Sequence, residues 1–144
     1  MQVSAHDVMT GVVGAWNTST LLDLVPGGLW FTRPPTETVM PYTVGRIVPG
    51  EIERWSGLNY LQKFNVQLSA FSNSVPTETG LIDGQMRTLL DDTPTFFVPN
   101  AVAVVRVVPR QGRYEMDELQ KDSADVLIAT GAWEILIQAT RVNQ

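Results

Sequence analysis

The 144-residue sequence predicts a single α+β domain over 1–144, with a mainly antiparallel sheet, two helices packed on one face, and a protruding β-hairpin or long loop. Three patterns predict this fold. Residues 60–71 alternate between mostly apolar even positions and mostly polar odd positions, as in a strand with one buried face. Residues 81–90 and 5–16 repeat apolar side chains at helical spacing, which predicts two amphipathic helices that cover that face.

Composition favours a globular chain and excludes several kinds of site. Apolar residues make up 44% and charged residues 17% of the sequence, which is typical of a folded domain. The chain has no cysteine, so disulfides, zinc–thiolate centres and a thiol nucleophile are excluded. No apolar run approaches the roughly 20 residues of a membrane span, and the first residues lack a secretory signal. We therefore expect a soluble protein made in a cytoplasm, without membrane contact.

The first helix is predicted over 4–16. Ser4 is a favourable N-cap, and Asp7 stands three residues later, where the acid of a capping box belongs. A short apolar run follows at 21–25.

Turn residues divide the next part of the chain. Two consecutive prolines, Pro34 and Pro35, cannot donate to a strand ladder, so they predict a loop or a sheet edge around them. Pro49-Gly50 is a turn signal. The resulting elements are a brief strand at 29–31, a loop at 32–40 and a second strand at 42–48.

The segment 51–55 leaves two interpretations open. It is polar and charged around Ile52 and Trp55, and Gly57 breaks it from the long strand. It is either the first arm of a protruding hairpin or an extended loop, and such segments often carry partner contacts.

The second half predicts a helix, a strand and a hairpin. The helix begins near Thr77 or Thr79 and ends at Asp91-Asp92. Because apolar residues fill nearly all of 101–108, we expect a central strand with both faces covered. The segment 113–119 turns at 120–123 into the last strand, 125–140, in which Gly131 marks a bulge or bend.

No constellation of residues predicts catalysis. The single histidine, His6, lies on the polar side of the first helix, with only Asp7 as a titratable neighbour in sequence. No serine lies in a G-x-S-x-G elbow, and no glycine pattern cradles a phosphate. Asp122 and Asp125 lack the spacing of a calcium loop and fit a hairpin turn. We expect a protein that is not an enzyme and needs no metal or cofactor.

The net charge of −5 does not predict nucleic-acid binding. Proteins that hold phosphates usually carry a basic patch. The nearest candidates, Arg106, Arg110 and Arg113, are spread along a strand and turn, so we interpret them as ordinary surface arginines.

The tryptophans divide into core and surface candidates. Trp16 and Trp133 fit the apolar faces of their elements. Trp55 and Arg54 have no apolar stripe to explain them, so they predict either a partner contact or local hairpin packing, since Trp and Arg are favoured at interface centres. The same alternatives apply to Trp30 and Arg33.

Three groups of residues carry a resemblance that covers nearly the whole chain. They are the helix start at 4–8 with the loop into 28–31, the segments 34–36 and 40–44, and the strand–helix unit from 60 with a final hairpin ending at 133–137. In this order they resemble the tail terminator, or tail-completion, proteins of long-tailed bacteriophages, which join head and tail. The resemblance is a pattern of elements and has no fixed motif.

The resemblance implies a structural role in the virion. Such a protein forms a homo-oligomeric ring, commonly a hexamer, at the head-proximal end of the tail tube, where it ends tube polymerisation. Its partners are the tail tube protein and a head–tail connector or stopper protein, and genomic DNA passes through without sequence-specific binding. A negative charge would suit that passage if acids faced the channel. The segment 51–59 would reach a partner.

The polar side of the long strand, with Lys63, Asn65 and Gln67, is then expected to line the channel or meet the next subunit. Two alternatives stay open. One is a connector-side neck or tube-like subunit of the same particle. The other is a small-ligand-binding or enzymatic α+β domain, such as a cyclase-like fold, which would need polar groups converging in an apolar pocket.

Overall fold

A computed structural model describes residues 3–56, 59–72, 76–90, 97–117 and 126–140. These residues form an α+β fold, which confirms the predicted class. The elements in chain order are α1 Ala5–Asn17, α2 Leu21–Leu24, β1 Leu29–Trp30, β2 Tyr42–Ser56, β3 Asn59–Ser72, α3 Pro76–Thr88, β4 Ala103–Asp117 and β5 Val126–Thr140.

The strands form one sheet in the order β1-β2-β3-β5-β4. The four long strands pair antiparallel, as the sequence predicts. The two-residue β1 pairs parallel with β2, so the sheet is mixed. Strand β3 lies between β2 and β5 along its length, which makes the strand with the clearest alternation the centre of the sheet.

All three helices lie on one face of the sheet. Helix α1 packs near β2, and α3 packs on β3, β4 and β5. Even positions of β3 and odd positions of β5 point into this layer, as their alternation predicts. The largest fully buried side chains include Trp16, Phe64, Leu68, Ile82, Met86, Trp133, Ile135 and Ile137. Burial of each contributes roughly 1.5–3 kcal/mol or more, so this layer is the main source of stability.

Gln62 is the polar exception in the apolar row of β3, and the structure explains it. Its side-chain oxygen accepts a hydrogen bond from the Val3 backbone N–H at 2.9 Å, and its amide donates to the Val3 carbonyl at 3.2 Å. Both bonds are buried. Gln62 therefore fixes the chain at the entrance to α1 while satisfying backbone groups that water does not reach.

Strand β2 runs through the predicted turn at Pro49-Gly50, so that prediction is wrong. Its register with β3 shifts between Pro49 and Ile52, and pairing then continues to Ser56. The extra residues form an irregularity within the strand, where a proline without an N–H is tolerated. Of the two interpretations of 51–55, the hairpin arm is correct.

Strand β4 lies at the sheet edge, which corrects its predicted central position. Val102 is 55% and Val105 is 47% exposed. A register shift between Val104 and Arg106 allows Val104 and Val107 both to pack against the core. The run of β-branched residues thus reflects strand propensity and a change of facing side, and β4 is not covered on both faces.

The sequence predicts a bulge or bend at Gly131, and a bulge does occur at this position of the sheet, although the extra residues do not belong to β5. The irregularity lies opposite it in β4, between Arg110 and Arg113, while the β3–β5 register is continuous. A Cβ on Gly131 would lie 2.6 Å from the Trp133 ring. The glycine therefore makes room for a buried indole.

Helix α3 differs from its predicted outline. It begins at Pro76 and ends at Thr88, and Leu81 is exposed although Ile82, Met86 and Leu90 are buried. The predicted helix end at 91–92 and the turn at 120–123 lie outside the described residues. Within the described part of the chain, no helix is long and apolar enough to cross a membrane.

Substituting Gly27 by Ala is expected to lower the free energy of unfolding by about 1–3 kcal/mol, as overpacking does. A Cβ there would lie 2.7 Å from the Pro41 carbonyl oxygen and closer still to that of Val39, and neither backbone atom can move aside cheaply. Urea denaturation measures the change. Gly14→Ala is the control: its Cβ meets nothing within 4 Å, and the helix should gain about 0.5–1 kcal/mol. Equal effects of the two changes would contradict this packing.

The capping box of α1 predicts a pH-dependent contribution from Asp7. The Ser4 hydroxyl accepts from the Asp7 N–H at 3.2 Å, and the Asp7 carboxylate accepts from the Ser4 N–H at 2.8 Å. The Ser4 backbone hydrogen bond, aided by Ser4 and Asn100 side chains, lowers the pKa of Asp7 below 3.8. Charged Asp7 therefore stabilises the fold above that pH, and this contribution is lost as pH falls through the lower folded-state value.

Asp7→Asn should accordingly cost about 1 kcal/mol near neutral pH. The difference from the parent protein should shrink as the pH is lowered below about 4, because the parent carboxyl is then protonated. Urea denaturation over a pH series measures it, with Asp23→Asn in α2 as the control. If the loss in free energy of unfolding caused by Asp7→Asn did not depend on pH, the charged Asp7 would not be its origin.

Candidate interaction surface

The face of the sheet opposite the helices has no covering layer among the described residues, and we call it the open face. Odd positions of β3 lie on it because successive side chains of a strand point to opposite sides. Lys63 is partly exposed, and Asn65 and Gln67 are exposed. These predicted interface residues therefore share one surface.

Cross-strand pairing brings positive charges from three further positions onto the open face. Arg46 of β2 is opposite Gln67, Gln67 is opposite Ala132 of β5, and Ala132 is opposite Arg110 of β4. Four residues further along β3, Lys63 is opposite Leu136, which is opposite Arg106. Arg46, Arg106 and Arg110 are exposed. We call Arg46, Lys63, Arg106 and Arg110 the basic patch.

A single carboxylate, Glu134, lies within the basic patch. Arg110 donates a hydrogen bond to Glu134 in a close ion pair, in which the Glu134 side chain is 17% and the Arg110 side chain 55% exposed. This bond, together with the charges of Arg110, Lys63 and Arg106, holds the pKa of Glu134 below its ordinary value. The carboxylate thus stays charged and neutralises part of Arg110, while three other cations remain.

The basic patch therefore has the opposite sign to the chain as a whole. Four of the ten basic residues lie in the basic patch, against one of the fifteen acidic residues at its centre. Glu53 joins the same face further out, in the hairpin arm, opposite Leu61. Arg106 and Arg110 are exposed, as expected of surface arginines, but the sheet brings them together with Arg46 and Lys63, which their spacing in the sequence does not show. If this face lines a channel, its charge does not supply the expected repulsion of DNA.

The structure separates the predicted contacts at Trp30 and Arg33. Trp30 is partly buried, and its indole N–H donates to the Gly27 carbonyl at 2.7 Å, so its polar atom serves the local turn. Arg33 is exposed in the loop after β1. Neither residue belongs to the basic patch.

Arg54 and Trp55 lie on the hairpin arm formed by β2 and β3. Arg54 is opposite Tyr60, and the register shifts again between Arg54 and Ser56. Their side chains lie outside what the structure describes, so a partner contact at these two positions stays a prediction.

A second exposed feature, which the sequence did not single out, is apolar. Phe97 is 74% exposed, and Val102 and Val105 are exposed near the start of β4. We call these three residues the edge cluster. The sequence did not identify these valines as exposed, because its apolar run predicts a strand at the centre of the sheet, where they would be buried.

The remaining candidates for chemistry stay dispersed. His6 is exposed on α1, where it borders an open groove of about 370 Å³ with Met9, Phe31 and Ile47. No group of three metal-ligating side chains occurs among the described residues. Thr43 Oγ1 and the Trp133 indole nitrogen are buried without a hydrogen-bond partner, and we have no physical account of either.

Comparison with known proteins relates this fold to a virus-like particle. No family model and no curated protein matches the sequence. Among solved structures, the fold is similar to a chain from the virion of a native gene transfer agent particle. The similarity has a TM-score of 0.62 at 10% identity, and it covers 89% of this chain and 92% of the other. Two chains this different in sequence share a fold over nearly their whole lengths.

Substituting Arg110 by Ala is expected to raise the pKa of Glu134 towards its ordinary value. The change removes the hydrogen bond and the nearest positive charge, while Lys63 and Arg106 keep part of the effect. A carboxyl-carbon NMR titration measures it. Arg87→Ala is the matched control, because Arg87 pairs with Asp83 on α3 at 3.0 Å. If both substitutions moved the Glu134 pKa equally, the ion pair would not be its cause.

Proposed function

We propose that this chain is a structural virion protein of the tail-terminator type. In this role it forms a ring at the head-proximal end of a tail tube, ends tube polymerisation and offers a surface to the head connector. The observation that carries the proposal is the fold shared, over 89% of the chain, with a component of a gene transfer agent virion. The order of sequence elements described above supports the terminator role in particular.

The sheet architecture suits a ring. Strand β4 and the part of β2 beyond β1 are the sheet edges, and they run antiparallel to each other. The β4 edge of one copy can therefore pair with the β2 edge of the next copy in antiparallel orientation, as the long strands do within the sheet. Such a head-to-tail contact between different surfaces repeats from copy to copy, and it forms a ring when the rotation between copies closes. Pro49 and Pro109 cannot donate on these edges, which limits strand pairing to the segments beside them.

The edge cluster provides a contact of the right kind. Val102 and Val105 lie beside and within the start of β4, and exposed large apolar side chains favour burial against a partner. The hairpin arm of β2 and β3 continues the strand pairing to Ser56 and Asn59, and such an arm suits a contact with the tube or connector. We propose six copies per ring, no catalysed reaction and no cofactor.

Substituting both Val102 and Val105 by Glu is expected to prevent ring assembly while leaving the fold intact. Both side chains are about half exposed, so their change should alter stability little. In an interface the two carboxylates would lose water without gaining partners, at a cost of several kcal/mol. Light scattering after size exclusion, with and without tail tubes, measures the oligomer. Leu81→Glu with Leu22→Glu, two exposed positions on the helices, is the matched control.

Negative-stain imaging of tail tubes mixed with the protein tests the terminator role itself. Parent protein should cap one end of each tube and hold tube length fixed, and the double glutamate variant should not. Protein found along the tube wall would favour a tube-like subunit, and protein bound only to heads would favour a connector-side neck component. A parent protein that neither forms rings nor binds tubes overturns the proposal.

A further inference from the structure

The basic patch has a defined geometry on the open face. Arg46 and Arg110 are three strand spacings apart, so their backbones are separated by about 14 Å. The row of Lys63 and Arg106 lies four residues away along β3, about 13 Å. Between Arg46 and Arg110 the floor is Ala132, and the shallow depression there, about 190 Å³, is bordered by Asn65 and Gln67.

This surface is built for an extended anion and not for a small ligand. The depression is open and smaller than the roughly 300–1,000 Å³ typical of ligand pockets. Three of the four cations are arginines, whose guanidinium groups bind phosphate oxygens through two parallel hydrogen bonds. The side-chain amides of Asn65 and Gln67 are additional donors of the kind that contact phosphates.

The composition of the patch favours nucleic acid over an acidic protein. The centre of a protein interface is depleted of charged residues and enriched in aromatic anchors. Here the charged Glu134 and the polar Asn65 and Gln67 occupy the middle. The apolar side chains beside them are Val48, Val108 and half-buried Leu136, and none of these is an aromatic anchor.

The same composition favours the phosphate backbone over the bases. No aromatic side chain lies between the four cations, so bases have no stacking platform. Tyr42 and Phe71, at the far end of the open face, stack on each other with ring centroids 5.3 Å apart.

We propose that the basic patch binds the phosphate backbone of double-stranded DNA, without sequence preference and with weak affinity. That this DNA is a genome passing through a ring rests on the proposed function. The positions of the four cations, from which DNA binding is inferred, do not depend on that function. Three cations beyond the Arg110–Glu134 pair neutralise a few phosphates at a time. Contacts of this number are broken readily, so DNA is guided along the surface and not held.

Fluorescence anisotropy with labelled duplexes of two unrelated sequences tests the proposal on the intact chain. The parent protein should bind both equally. Its affinity should fall as salt rises, with a slope in log–log form of about −2 to −3, because each neutralised phosphate contributes about −0.9. Absence of binding at low salt, or a preference for one sequence of more than about tenfold, overturns the proposal.

Matched double variants locate the binding surface. Arg46→Gln with Arg106→Gln should weaken binding at least about tenfold and flatten the salt slope by nearly 2. Arg33→Gln with Arg87→Gln removes the same charge from positions outside the patch and should leave the slope unchanged. Glu134→Gln should tighten binding, because it removes the one central carboxylate and releases Arg110. Circular dichroism verifies that each variant is folded. Equal losses in the two double variants would contradict the assignment.

Two further measurements distinguish DNA from acidic proteins as the partner, and this inference from the proposed function. Poly-glutamate at equal charge concentration should compete poorly; if it displaces the duplex fully, the patch is a general site for acidic partners and the DNA assignment is wrong. Imaging the same variants on tail tubes distinguishes this inference from the proposed function. The Arg46/Arg106 variant should still cap tubes, whereas a failed terminator role would leave the parent protein unable to do so.

Discussion

The burial of one face of β3 and β5 under the helices is the constraint on which the rest of the structure depends. Phe64 and Leu68 of β3 and Ile135 and Ile137 of β5 are almost fully buried. Because side chains alternate along a strand, fixing these residues inward fixes their neighbours outward. The positions of Lys63, Gln67 and Glu134 on the open face are thus set by the hydrophobic core behind them, and a one-residue slip would exchange the two faces.

The positive charge on the open face comes from residues that are distant from one another in the sequence. Arg46, Lys63, Arg106 and Arg110 come from three strands, and none lies within three residues of another. Pairing through β3 and β5 gathers them around Glu134, and the resulting field keeps that carboxylate charged. The positive charge of the basic patch attracts anions locally, within a chain whose net negative charge repels them at longer range.

The two edges of the sheet are further exposed surfaces. Antiparallel order leaves β2 and β4 facing outward in opposite directions, and the edge cluster lies on one of them. Helices on one face, edge strands at the sides and a charged patch on the open face give the chain three distinct surfaces. Likeness to a chain of a gene transfer agent virion at 10% identity is consistent with a fold kept by this layering, since many sequences satisfy the same pattern of burial.

Local patterns by themselves determined the α+β class, the capped helix α1, the long strand β3 and its facing sides, because period and capping depend on residues a few positions apart. They failed where distant partners decide. The valines of 101–108 look alike in a central or an edge strand. The strand order places them at the edge, and a register shift beside Val105 decides which of them face inward. Pro49-Gly50 reads as a turn until pairing with β3 carries the strand past it. Tertiary pairing alone turned scattered arginines into a patch, because only neighbouring strands bring such residues together.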